Sequence, residues 1–439
     1  MTNTQVVVIG AGFSGLAAAY DLAKAGREVT IVEADSDIGG LAGTFTPQPG
    51  VRLEKFYHHW FTSDEAIIEL ITELGLASRL KPVLSNTGLY FANSIFRLTS
   101  PLDLLRFPAI PILDRARTGL MALYARAISD WSALESISAI DWLIKVGGKP
   151  AYKAIWQPLL AGKFGIEAEN VSAVWFWNKL KLRGSSRGRS GGETLLYFEG
   201  GFGALSDAVR ENLIGMGVNI HTNTPATRVV TSNGAVSAVC ATDPSGTELL
   251  LPAHQVLVTT PLPTLFDLAP DLSESDIAPW RQIRFLGNVC LVLRLKHSLS
   301  STYWLNVADP TFPFIGVIEH TNLDDRANYG GEHIAYLSKY LPTSEKLFSM
   351  PDKELLDYAL PHIQRMFPHF SEEWIIAAHI WRAKFSQPVI VKNYSKLIPP
   401  FALPINDLWL CTMAQVYPQD RGTNYAVEYG RRVAEMMLE

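Results

Sequence analysis

The chain has 439 residues, 48% of them hydrophobic, with Lys plus Arg 38 against Asp plus Glu 43. That length implies two or three domains. The apolar content excludes a disordered chain, and a net charge of −5 offers no basic field to gather nucleic acid.

Cys240, Cys290 and Cys411 are far apart and form no CxxC, which excludes a disulfide framework and a zinc knuckle. No metal is expected, and a reducing, cytoplasmic setting fits. The first apolar run, residues 6–9, stops at Gly10, too short for a signal peptide, so the N-terminus reads as structure and not as an address. No uncharged apolar stretch approaches the roughly 20 residues that cross a bilayer.

Residues 5–9 (QVVVI) form a continuous β-branched run, as a strand buried on both faces requires, and GAGFSG follows at once at 10–15. Leu16, Ala19, Tyr20 and Ala23 fall on one face of a helix that Gly26 closes, and residues 28–33 read as a second strand. In such a βαβ unit Gly10 permits the tight turn, Gly12 admits a pyrophosphate to the backbone, and Gly15 lets helix and strand pack. The helix start at Phe13 and Ser14 supplies oriented N–H donors. Glu33, with Ala34 beside it, ends the second strand where a carboxylate meets a ribose 2′-hydroxyl and repels a 2′-phosphate. A second glycine cluster, Asp37-Ile38-Gly39-Gly40-Leu41-Ala42-Gly43-Thr44, follows, which NAD folds rarely need.

Residues 6–45 resemble the FAD-binding start of the flavin amine oxidase superfamily, which includes protoporphyrinogen oxidases, phytoene desaturases and, more distantly, UDP-galactopyranose mutases. The resemblance implies FAD as the cofactor, with Gly39, Gly40, Leu41 and Ala42 against its pyrophosphate and ribityl chain. It also implies an α/β fold: a Rossmann-type, glutathione-reductase-like FAD-binding domain interleaved with a mixed-sheet substrate domain and a helical cap. Leu41 stands where many amine oxidases have Arg, which tilts the likeness toward the other branches.

Residues 54–61 (EKFYHHWF) are similar to a mutase stretch in which a histidine stands beside the flavin ring. That likeness implies His59 as a base or orienting group, while a pair of core histidines explains the same text. Residues 101–131 mix FPAIPIL and TGLMALYARAI with Arg106, Arg115, Arg117 and Arg126. This suits either an in-plane membrane contact, from a cytoplasmic protein at the inner face, or a buried cap helix.

Residues 145–192 hold nine basic side chains and two acidic ones, ending in RGSSRGRSGG, a flexible basic loop by composition. Arg183, Arg187 and Arg189 could clamp a phosphate- or carboxylate-bearing substrate, meet anionic lipid, or stay solvated. GRSGG fits the GxSxG pattern, but no apolar strand leads into it, so no serine hydrolase is expected.

Later segments return to the cofactor. A double glycine at 200–201 precedes a helix to 216, then short strands over 218–221, 226–230, 235–241, 248–251 and 255–260, with turn chemistry at Asn233-Gly234 and Asp243-Pro244-Ser245-Gly246. The resemblance implies that the backbone of Val229 meets the adenine. Strands are expected at 289–295 and 333–340, and a helix over 353–366. Lys384, in a segment like the family's strand beside the flavin, reads as a solvated lysine. A closing strand at 408–411 and a helix over 428–437 frame a turn with Tyr417 and Tyr425. Thr412-Met413 stand where relatives carry Gly-Asp, so the turn's Asp420, Gly422 and Asn424 take over that pair's cofactor role.

The expected division is 1–45, 196–261 and 403–439 for FAD, and 46–195 and 262–402 for substrate and cap. The expected function is FAD-dependent dehydrogenation of a hydrophobic or ring-containing small molecule, with oxygen or a quinone as acceptor. A non-redox mutase acting on a phosphorylated substrate and a non-catalytic FAD-binding escort stay open. Oligomeric state is not readable from the sequence.

Overall fold

The computed structural model describes residues 4–98, 100–185 and 193–439. A five-stranded parallel sheet runs in the order Asn219–His221, Glu28–Val32, Gln5–Ile9, Gln255–Val258 and Leu408–Leu410. All four pairings are parallel. Side chains alternate faces along a strand, so the central run serves two cores: Val6 and Val8 belong to one, Val7 and Ile9 to the other. That is why the run is apolar throughout.

Three antiparallel strands, Ala226–Ser232, Ala235–Thr242 and Glu248–Pro252, form a meander on this sheet. Its first turn is the two-residue Asn233-Gly234 loop, with φ of 53° and 79°, the left-handed pair that a tight hairpin demands.

A seven-stranded mixed sheet forms the second layer, in the order Ile375–Pro388, Phe285–Leu295, His333–Leu341, Gly316–Glu319, Trp304–Val307, Thr87–Phe91 and Ser94–Arg97. Phe285–Leu295 is buried nearly end to end and divides two cores. Cys290 and Val292 face the glycine-rich unit, while Val289, Leu291, Leu293 and Leu295 face helix Asp352–Met366 through Leu355, Ala359 and Ile363. Helices Pro101–Arg106, Ile112–Ala127, Ala139–Gly147, Gln157–Phe164 and Ala173–Ser185 make the cap.

Two expected boundaries move. The last helix spans Thr423–Leu438, starting a turn earlier than its sequence pattern suggests. Thr, Asn and Tyr are middling helix formers, but burial of Asn424 and Val427 carries the first turn. Helix Ala173–Ser185 takes in Arg183, so the basic segment does not begin as a loop there. No helix among the described residues is long and apolar enough to cross a membrane.

Candidate active site

The chain leaves Ile9, turns through residues 10–12, and enters helix Phe13–Lys24. A Cβ added at Gly15 would lie 2.1 Å from the Gly10 carbonyl oxygen and 2.9 Å from Thr259 Oγ1, so only a bare Cα lets the helix start this close to the sheet. Gly12 answers to a different constraint. A Cβ there would meet nothing nearer than Gly40 Cα at 3.9 Å, so packing does not demand glycine, while close approach of a ligand to the backbone does. Phe13 is buried against Phe202, and Ser14 is half-buried.

The second glycine cluster folds onto the first. Gly39 pairs with Gly12 and donates from its N–H to Ala11 O at 2.8 Å, with φ at 115°, which excludes side chains. Gly40–Ala42 then makes one 3₁₀ turn, with Gly40 exposed, Leu41 half-buried and Ala42 buried. Among the described residues two buried hydroxyls have no hydrogen-bond partner: Ser206 Oγ, which lies against Gly39, and Thr260 Oγ1, whose side chain lies against Gly10. Bare backbone, a helix N-terminus and orphaned hydroxyls together suit a diphosphate.

Glu33 braces this cradle. Its carboxylate accepts from Ala11 N at 2.7 Å and from Asp35 N at 2.9 Å, and burial pushes its pKa upward. A carboxylate offers about four acceptor positions, so two bonds leave capacity for a ribose hydroxyl. Ala34 beside it is exposed. Thr224 N donates to Glu33 O and Asn223 N to Asp35 O, tying the approach to strand Ala226–Ser232 to this end of the sheet. Val229 on that strand is buried with Ile9, Val32 and Val258.

The two histidines separate. His58 Nδ1 donates to Phe56 O at 2.6 Å, leaving Nε2 as acceptor, and burial lowers its pKa to about 4, so the ring is neutral at pH 7. The Arg421 charge pushes the same way. His59 Nδ1 shares a 2.9 Å hydrogen bond with Tyr303 Oη, and its ring is boxed by Phe61, Tyr303 and Trp304. Burial holds the Tyr303 phenol protonated. Phe45, just past the second glycine cluster, stacks 4.9 Å from Trp381 on the half-buried strand Ile375–Pro388, so cradle and mixed sheet share a wall.

The C-terminal turn differs from its sequence assignment. The Asp420 carboxylate accepts from Trp175 Nε1 at 3.0 Å and Gln387 Nε2 at 3.2 Å, and pairs with Lys179. Burial would raise its pKa, but Lys179, Lys163 and Arg421 overcome that and hold the carboxyl far below the usual range. Asn424 Oδ1 accepts from Ile67 N at 3.1 Å. Both side chains thus serve protein partners, while Gly422, exposed, leads into helix Thr423–Leu438, whose first hydroxyl, Thr423 Oγ1, accepts from Trp60 Nε1 at 2.7 Å. Arg187 and Arg189 lie outside the described residues, and Arg183 is described only as helical backbone.

One positioning group escaped the sequence reading. Arg52 binds Asp37 at 3.0 Å, Thr44 Oγ1 at 2.8 Å and Asp207, and Arg210 also pairs with Asp37. This clamps the second glycine cluster to helix Gly201–Gly215. A Cβ at Gly203 would sit 2.8 Å from the Arg52 guanidinium, so that glycine makes room for the clamp. The only sequence signal was the Asp207/Arg210 spacing on one helix face.

A parallel sheet ending on two interlocked glycine turns braced by a half-buried acid, beside an aromatic sheet, defines a dinucleotide-binding protein of the flavoprotein type. The chain matches the family described as flavin containing amine oxidoreductase over residues 13–438, and it belongs to that family. Its cofactor is FAD, which the cradle fits.

The chain is similar to the zeta-carotene desaturase of Capsicum annuum, 22% identical over 312 residues, covering 65% of this chain and 51% of that one. It is also similar to the mitochondrial protoporphyrinogen oxidase of Nicotiana tabacum, 34% identical over 193 residues, covering 41% and 37% respectively. The chain thus spans about half of the first relative's length and about a third of the second's. Among solved structures, reduced UDP-galactopyranose mutase superposes with a TM-score of 0.75 at 14% identity, covering 99% of this chain and 95% of that one. An oxidoreductase from Methanosarcina mazei gives 0.73 at 18%, covering 99% and 100%. These last likenesses establish the fold alone.

Proposed function

We propose that the protein is an FAD-dependent oxidoreductase that dehydrogenates a hydrophobic or ring-containing small molecule, with oxygen or a quinone taking the electrons. Bound FAD supplies a hydride acceptor, flavin N5, for a C–H next to nitrogen or to a double bond. The chain's part is to hold and orient. Residues 1–45, 196–261 and 403–439 act as the cofactor unit, with Gly10, Gly12, Gly15, Gly39 and Gly40 admitting the diphosphate, Glu33 the ribose and Val229 the adenine. Residues 46–195 and 262–402 present the substrate. His59, set by Tyr303, takes or orients a substrate proton. Aromatic walls from Trp381, Trp304 and Phe45 exclude water.

The observation that carries this reading is the junction of the glycine cradle with the aromatic mixed sheet through Phe45 and Trp381. The test is anaerobic mixing of the FAD-loaded protein with a polyene such as zeta-carotene, with protoporphyrinogen, and with an amine such as putrescine. Bleaching of the flavin band by one class is expected. A protein that binds no flavin, or that turns a substrate over only with pre-reduced flavin and no net bleaching, would sink the reading.

The cap contributes a membrane-facing surface in this proposal. Helix Ile112–Ala127 buries Thr118, Met121 and Ala125, yet its opposite face exposes Ile112, Leu113, Leu120, Leu123 and Tyr124, with Leu113 82% exposed. Leu102 and Leu105 extend the patch, and Arg106, Arg117 and Arg126 stand exposed around it. Apolar patches rimmed by basic residues suit the headgroup boundary of an anionic bilayer.

A further inference from the structure

The turn before the last helix carries a guanidinium whose hydrogen bond goes to a neutral group. Arg421 Nη2 donates to the Tyr340 phenol at 2.6 Å, and its Nε is buried without a hydrogen-bond partner among the described residues. The adjacent carboxylate, Asp420, is already engaged by Trp175, Gln387 and Lys179. A guanidinium offers five donors in a planar fork, and one phenol bond leaves most of that capacity unused where water is scarce.

Two ammonium groups converge on the same place. Lys163 Nζ lies 4.7 Å from the Trp175 ring centre and 5.0 Å from that of Tyr340, and Lys179 Nζ lies 5.1 Å from Trp175. The charges come from helix Gln157–Phe164, helix Ala173–Ser185 and the C-terminal turn, and all three side chains are half-buried, so each keeps some access to solvent.

This cluster is separate from the diphosphate cradle. Gly430 packs against Ser14 at the first glycine turn, whereas Thr423 starts the same helix two turns earlier, about 10 Å along its axis. Arg421 lies beyond Thr423, at the far end of this helix from the glycine turn.

We propose that Arg421, with Lys163 and Lys179, forms a subsite for an oxyanion of the substrate, a carboxylate or a phosphate, carried on a flat apolar body that lies against Trp175 and Tyr340. The inference deepens the oxidoreductase reading and rests on it for the occupant being the substrate. Arg421 supplies paired hydrogen bonds to two oxygens, Lys163 and Lys179 supply field, and the indole and phenol rings supply contact.

The test uses the FAD-loaded full chain titrated with benzoate, phenyl phosphate and, as the neutral control, benzamide, followed by calorimetry and by perturbation of the flavin spectrum. Saturable binding of at least one anion is expected, tenfold or more tighter than benzamide. Whichever anion binds tighter names the substrate's group. Arg421→Gln should weaken that anion tenfold or more while flavin content is kept, and Arg421→Lys should recover part of the loss. Should Arg421→Gln fail to fold, Lys163→Gln and Lys179→Gln serve instead, each expected to cost threefold or more.

Equal affinity for benzoate, phenyl phosphate and benzamide, no binding of either anion, or variants that bind the anion as the parent does would overturn the subsite. Anion binding needs no turnover, so a protein that binds the anion yet never bleaches overturns only the redox reading. One that is bleached by a neutral substrate and ignores anions overturns only the subsite.

Discussion

Gly12 and Gly15 stand one helical turn apart and will respond differently to the same substitution. Gly15→Ala forces a methyl group into the Gly10 carbonyl, so we expect a loss of about 1–3 kcal/mol in urea unfolding, as for other overpacked sites. Gly12→Ala meets no such obstacle, so the apo protein should unfold within about 0.5 kcal/mol of the parent. Its FAD affinity should nevertheless fall at least about tenfold, roughly 1.4 kcal/mol, by fluorescence titration. Equal FAD affinity in Gly12→Ala would contradict the cradle assignment.

Asp64, which accepts from Phe61 N at 2.9 Å, gives a pH signature. Burial pushes its pKa to about 6. The folded value lies above the unfolded one of about 3.9, so its stabilising contribution is full below about pH 4 and is lost as pH rises through 6. Asp64→Asn keeps an acceptor for Phe61 and cannot ionise. Unfolding curves should show little change near pH 4 and a gain of about 1–3 kcal/mol near pH 7.5.

At this scale the turn geometry of the glycines and the place of Glu33 at the end of its strand were legible because both follow from local spacing. Asp420 was not, because its partners Trp175, Lys179 and Gln387 come from distant segments. The basic stretch 145–192 drew attention to a local excess of positive charge. The side chains that converge on Asp420 from it are Lys163 and Lys179, which periodicity alone could not orient.

Between elements, the last helix and the first touch most closely where Gly430 meets Ser14. A Cβ there would lie 2.3 Å from the Ser14 carbonyl oxygen. Gly430→Val should therefore part the helices, lower the melting temperature and release flavin together. If flavin stays bound at parental affinity, this contact does not set the cradle. Helix Ile112–Ala127 makes the opposite case, since the side chains of its outer apolar face are more than half exposed. Replacing Leu113, Leu120 and Leu123 by Ser should leave unfolding unchanged within about 0.5 kcal/mol and abolish co-sedimentation with anionic vesicles. Retained co-sedimentation would remove the membrane surface from the proposal. The sequence could weigh a buried helix against an in-plane one but not choose, because both read as apolar text with arginines.

For the whole molecule, the parallel sheet takes its strands from residues 5–9, 28–32, 219–221, 255–258 and 408–410. Ligand contacts spread over such a unit stabilise all of it by mass action. FAD at a hundredfold excess over its Kd should add about 2.7 kcal/mol, and flavin release and tryptophan fluorescence should change at one temperature. Two separated transitions would mean that the cap and mixed sheet unfold without the cofactor unit. The strand-glycine-helix order at both ends made this architecture readable, whereas the mixed sheet, with strands of unlike spacing, offered only fragments.

The edge strand Leu408–Leu410 and the helix that follows it also fix an order in time. A polypeptide leaves the ribosome amino end first, so the glycine turns at residues 10–15 and 39–43 emerge early, while the helix that packs on Ser14 emerges with residues 423–438. The two glycine turns therefore gain this supporting wall only once residues 423–438 have been made. A chain cut short before residue 423 would lack that wall, so it should hold FAD more weakly than the parent while its first two strands still pair.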